Sequence, residues 1–97
     1  MDWKVNKHVI IPEGTKLFER MFQYNNIVET ITLPDDITFL PKYFCFGCKN
    51  LKAVLGGRNV KVVSYNTFEN CSQLHHLDFI PITFKLNDKL NSLIFKK

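Results

Sequence analysis

The feature that most constrains this chain is a short apolar pattern that returns at a nearly constant interval. Val28-x-x-Ile31-x-Leu33 is followed by Leu51-x-x-Val54 and then by Leu74-x-x-Leu77-x-Phe79, with 23 residues from Val28 to Leu51 and again from Leu51 to Leu74. Upstream, Val9-x-Ile11-Pro12 lies 22 residues before Ile31-x-Leu33-Pro34, and downstream a degenerate copy ends in Leu90-x-x-Leu93-x-Phe95. Alternate residues of a strand point to opposite faces, so the apolar members of each copy turn inward and the intervening ones stay outside. One short strand in every 22–24 residues cannot cover its own apolar side. Stacking the units in parallel closes a shared core in which each unit touches only its neighbours.

The segments that return the chain from one strand to the next also align. Leu17, Phe18, Met21 and Phe22 match Phe39, Leu40, Tyr43 and Phe44, and Val62, Val63, Thr67 and Phe68 follow after a one-residue insertion. On this alignment Phe22, Phe44 and Phe68 recur as core residues. The apolar positions at 17, 18, 21 and 22 predict one face of a short helix. Ser64 is placed to N-cap a helical turn through Asn66, Thr67 and Phe68. Pro12, Pro34, Pro41 and Pro81 confine any helix to a turn or two. Gly56-Gly57 supplies backbone freedom where the insertion falls.

The run Leu33-Pro34-Asp35-Asp36-Ile37-Thr38-Phe39-Leu40-Pro41-Lys42-Tyr43-Phe44, followed by Cys48-Lys49-Asn50-Leu51-Lys52-Ala53-Val54, resembles the BspA-type leucine-rich repeat, and Asn70-Cys71-Ser72-Gln73-Leu74 is similar. The resemblance covers about residues 9–81. It implies an α/β fold: a short leucine-rich repeat solenoid of about four units, with parallel strands on one face and short helical turns on the other. It also implies a binding scaffold rather than an enzyme. Residues 1–97 are expected to form a single domain, with degenerate end units at about 1–11 and 79–97.

Composition narrows the function classes. At 97 residues and 45% hydrophobic the chain is near the lower size limit for a self-sufficient core, which excludes a multi-domain enzyme. No phosphate loop, dinucleotide fingerprint or paired-carboxylate motif is present. The segment after Met1 has no apolar run of signal-peptide length, and no stretch is long enough for a transmembrane helix. With three cysteines, an odd number, reduced thiols and a cytoplasmic setting are expected, with no membrane and no cofactor. The sequon Asn70-Cys71-Ser72 is discounted on the same ground.

Cys45-x-x-Cys48 with Cys71 and His75 has the residue types of a zinc site. Cys48 and Cys71, however, are one repeat apart, so they are expected to stack as a buried ladder of small side chains, whereas Cys45 has no counterpart. His75 and His76 are adjacent in a strand and face opposite ways. Asp78 shares a face with His76, but no nucleophile stands beside them, so catalysis is not expected.

The positions facing outward from the strands define the candidate binding surface: Lys7, His8 and Ile10; Glu29, Thr30 and Thr32; Lys52, Ala53 and Leu55; His75, His76 and Asp78; Asn91, Ser92 and Ile94. Of these, Lys7, His8, Glu29, Thr30, Thr32, Lys52, Leu55, His75, His76 and Asp78 are the expected contacts with a protein partner. The row is mixed in sign, unlike a surface that reads the DNA backbone. The net charge is +4, and Lys85, Lys89, Lys96 and Lys97 against Asp88 place most of that excess at the C-terminal end. A nucleic-acid or nucleoprotein contact through those four lysines is the alternative. The protein reading points to a small stoichiometric inhibitor or adaptor acting by surface occlusion. Exposed end strands offer a route to self-association. Trp3, Tyr24 and Phe46 fall outside the core register, where Trp3 can cover the open first repeat or an exposed ring can anchor a partner.

Overall fold

The computed structural model describes residues 3–64, 66–80 and 83–84. The chain winds through seven short strands: β1 (His8–Ile10), β2 (Thr30–Leu33), β3 (Phe39–Leu40), β4 (Ala53–Gly56), β5 (Val62–Val63), β6 (His76–Leu77) and β7 (Thr83–Phe84). They form two parallel sheets, one ordered β1-β2-β4-β6 and the other β3-β5-β7. Each turn of the solenoid, here termed a coil, places one strand in the first sheet, and from the second coil onward one in the second sheet as well. The register advances by 22 residues from Val9 to Ile31 and by 23 from Ile31 to Val54 and from Val54 to Leu77. Between β3 and β5 it is again 23, pairing Leu40 with Val63.

The core lies between the sheets and the turns. Val9, Ile31 and Val54 form one inward row and Val28, Leu51 and Leu74 another, all buried. Each fully buried aliphatic side chain of this kind contributes about 1.5–3 kcal/mol. Ladder hydrogen bonds alone leave many turn carbonyls unpaired, and side chains of the next coil reach back to several of them. Asn25 Nδ2 donates to Trp3 O, Asn59 Nδ2 to Asp35 O, Ser64 Oγ to Leu40 O and Thr67 Oγ1 to Pro41 O. Thr67 is fully buried, and its 2.9 Å hydrogen bond satisfies the hydroxyl. Among the described residues no buried side-chain nitrogen or oxygen lacks a partner, as a stable interior requires.

The return segments depart from the expected helical turns: among the described residues there is no helix. Each segment is a run of tight turns, with amide donors three residues after their acceptors, such as Met21 to Phe18, Gln23 to Arg20 and Asn25 to Phe22. The physical reason is the recurrence of left-handed backbone. Arg20 and Tyr43 have φ of 66° and 59°, and Tyr24, Gly47 and Asn70 have φ of 60°, 73° and 62°. A residue with positive φ cannot continue a right-handed helix. Ser64 accordingly does not cap a helix; its hydroxyl turns to the previous coil.

These positions also correct the alignment of the return segments. The left-handed residues fall 23 apart, as do equivalent hydrogen bonds: Phe22 N–H to Phe44 O repeats as Cys45 N–H to Thr67 O, and Tyr24 N–H to Phe46 O repeats as Gly47 N–H to Glu69 O. Phe22, Cys45 and Phe68 are therefore equivalent, and Met21, Phe44 and Thr67 form the neighbouring set. No extra residue enters at Gly56-Gly57; instead the first coil is one residue short between Ile11 and Leu17. Phe22, Phe44 and Phe68 are all buried, as expected of core residues, whereas Phe18 and Phe39 are 50% and 54% exposed.

Candidate functional site

The open face of the first sheet is built by register. Lys7 O accepts from Glu29 N–H at 2.7 Å, Glu29 O from Lys52 N–H at 2.7 Å, and Lys52 O from His75 N–H at 3.0 Å, so these four residues stand in one line across the coils. The strand pairing sets a second line of His8, Thr30, Ala53 and His76, and a third that includes Ile10, Thr32 and Leu55. Asp78 extends the third line, held by its N–H to Val54 O at 3.0 Å. All ten expected contact residues thus fall on one surface, either exposed or half-buried.

Several of these side chains are already held by neighbours. His8 Nδ1 is 2.8 Å from Thr30 Oγ1, and Lys52 Nζ is 3.4 Å from Glu29 Oε1. An exposed ion pair of this sort contributes about 0–1 kcal/mol, so it orients the groups more than it stabilises the fold. Asp78 is the most constrained. Its Oδ2 accepts the Gly56 N–H at 2.9 Å and its Oδ1 lies 2.6 Å from His76 Nε2. The Gly56 amide, and after it His76, hold the Asp78 carboxyl below the usual carboxylate range. His75 precedes β6 and lies on the same face as His76 instead of facing the opposite way as expected; its Nδ1 is 3.0 Å from Gln73 O. The result is a surface of mixed charge with apolar residues at Ile10 and Leu55, one on each side of Thr32.

The cysteines lie on the other side of the sheet. Cys45, Cys48 and Cys71 are fully buried and reduced. Cys48 Sγ donates to Phe22 O and Cys71 Sγ to Cys45 O, the same bond one coil apart. The expected ladder of Cys48 and Cys71 is therefore present. Cys45, for which no counterpart was expected, occupies the place of Phe22 and Phe68. Burial pushes the Cys45 thiol up, and its hydrogen bond with Cys48 pushes Cys48 up in turn. Exposed His75 belongs to the sheet face and does not join these thiols. Among the described residues no group of three or more His, Cys, Asp or Glu is arranged to hold a metal ion.

The four C-terminal lysines, Lys85, Lys89, Lys96 and Lys97, and the outward positions Asn91, Ser92 and Ile94 lie outside the described residues. Trp3 covers the first coil: its ring packs 6.2 Å from those of Phe18 and Phe22, and its Nε1 donates to Met21 O. Tyr24 and Phe46 meet on the turn side, joined there by Tyr43 and Arg20. These last two were not among the sequence candidates. Their mutual spacing of 23 residues was the available signal, obscured by the alignment that matched Tyr43 to Met21. Among the described residues, no helix is long and apolar enough to cross a membrane.

No curated protein and no solved structure gives a significant match to the chain. The sequence does match the BspA type leucine rich repeat region in six copies across residues 4–96. With parallel strands advancing one coil per repeat and the repeat residues forming the core, this chain belongs to the BspA-type leucine-rich repeat family.

Proposed function

We propose that this protein is a non-enzymatic binding module that docks a protein partner on the open face of its first sheet, acting as a small stoichiometric inhibitor or adaptor by occlusion. Leucine-rich repeats are in general protein-interaction modules, and the finer reading rests on the geometry of this face. The observation that carries it is the register: three outward lines cross parallel coils, and most of their polar side chains are held by a neighbour before any partner arrives. Such preorganisation lowers the ordering cost of association.

The test uses purified protein and a double variant, Lys52→Ala with His76→Ala. Both positions are exposed, so the melting temperature should change little. A host protein captured in nuclease-treated lysate by the wild type and lost by the variant supports the reading. A partner retained equally by both moves the site off this face. Capture that disappears on nuclease treatment overturns the protein-partner reading.

A further inference from the structure

The outer edge of β1 is a second binding element, separate from the sheet face. β1 pairs with β2, and among the described residues no strand lies on its other side. The register shows which backbone groups that leaves over. Thr30 N–H donates to Lys7 O, and Ile11 N–H donates to Thr32 O. With His8 opposite Thr30 and Ile10 opposite Thr32, the parallel ladder draws its bonds to β2 from Lys7, Val9 and Ile11. His8 and Ile10 therefore turn both N–H and C=O away from β2, and among the described residues nothing pairs with these backbone groups. Pro12 ends the row: it has no N–H to offer, and its carbonyl accepts from Thr15. The open edge is thus confined to one short strand.

Unpaired N–H and C=O groups on a strand edge are a template for another strand, and this edge is complementary to itself. Turned antiparallel about a two-fold axis at Val9, a second copy sets its Ile10 opposite His8 and its His8 opposite Ile10. In an antiparallel ladder such pairs exchange both N–H···O bonds, while Val9 faces its own mate in the non-hydrogen-bonded position. Every outward group of the strand then has a partner. The charges flanking the strand agree with this direction. Lys7 stands before β1 and Glu13 beyond it; both are exposed, and neither side chain is engaged among the described residues. Antiparallel pairing brings Lys7 of each copy toward Glu13 of the other, whereas parallel pairing in register would bring lysine to lysine. The first coil also leaves Val5, Ile10 and Phe18 62%, 69% and 50% exposed, although the end of a repeat array needs a polar cap to remain apart from others. We infer that the β1 edge binds a second copy of this chain, joining the first sheets of two molecules across His8–Ile10 in an antiparallel, two-fold symmetric dimer.

The test weighs the full chain by sedimentation equilibrium over a concentration series. Ile10→Pro removes an outward donor that no bond within the chain uses, and an edge strand tolerates proline at such a position; Ile10→Val keeps the donor. Lys7→Glu and Glu13→Lys each set like charges at both ends of the pairing, and the two together restore opposite ones. Far-UV circular dichroism and melting temperatures confirm that the variants fold; if Ile10→Pro does not, the charge reversals decide. The expected result is a reversible rise from the 11.4 kDa monomer to twice that mass, kept by Ile10→Val and lost by Ile10→Pro. Each single charge reversal should weaken the dimer about tenfold, and the double reversal should regain it. Lys52→Ala with His76→Ala should dimerise as the wild type does, which separates this edge from docking on the sheet face. A chain that stays monomeric throughout would overturn the inference. So would a dimer indifferent to Ile10→Pro or to charge reversal, or growth beyond the dimer, which head-to-tail pairing gives.

Discussion

Gly14 and Gly56 provide an internally controlled test of how closely the coils pack. Both have positive φ, 85° and 70°, so alanine at either position meets the same backbone penalty. That penalty is about 1–2 kcal/mol, offset by about 0.4–1 kcal/mol because alanine restricts the unfolded chain. At Gly14 nothing lies within 4 Å of an added Cβ, so Gly14→Ala should cost no more than about 1.6 kcal/mol. At Gly56 the added Cβ would stand 2.4 Å from Leu33 O in the preceding coil, about 1 Å inside ordinary contact. The obstacle is backbone, and it cannot rotate away. Leu33 O accepts Gly57 N–H at 3.2 Å, so spreading β2 from β4 strains that hydrogen bond. Overpacking costs about 1–3 kcal/mol and the weakened hydrogen bond up to about 1.5 kcal/mol. Gly56→Ala should therefore be about 1–4 kcal/mol less stable than Gly14→Ala. The assay is urea unfolding followed by far-UV circular dichroism. With a slope of about 1 kcal/mol/M, the midpoints should differ by about 1 M or more. Gly56→Ala unfolded in plain buffer beside a folded Gly14→Ala meets the expectation as well. Equal midpoints would show that the coils yield at this contact and would refute the argument from close packing.

Two further predictions concern the ends and the interior. Trp3→Ala uncovers Phe18 and Phe22 and removes the donor to Met21 O; because Trp3 is only half-buried, the loss should be about 2 kcal/mol, below that of a fully buried aromatic. As the protein's only tryptophan, Trp3 also reports the first coil by fluorescence, and a melt matching far-UV circular dichroism would show that the cap unfolds with the rest. Cys45 and Cys48 have folded pKa values raised above the ordinary thiol range, so the stability they confer is complete below that range and declines as pH rises through it, when the unfolded thiols ionise. Urea midpoints should fall above about pH 8.5, and replacing both residues by alanine should flatten this fall. A pH-independent wild type would show that these thiols are not desolvated.

The repeat period alone determined the stacking of parallel strands, because inward and outward positions alternate and every unit must cover the next. The same pattern identified the open face from Lys7 to Asp78, since strand register carries side-chain direction with it. The family was legible in the Leu-Pro and Cys-x-x-Leu spacing. The shape of the return segments was not. An apolar pair such as Leu17-Phe18 satisfies helix periodicity equally well, and side-chain pattern says nothing of the sign of φ. Arg20, Tyr24 and Tyr43 take left-handed backbone because the coil must turn sharply to pair with its neighbour, a constraint present only when the neighbour is in place. Tertiary contact likewise decided that Phe39 stays exposed and that Cys45 fills the place of Phe22 and Phe68. Burial in a solenoid depends on the residue one coil away, and that registry was settled by hydrogen bonds between coils, 23 residues apart along the chain.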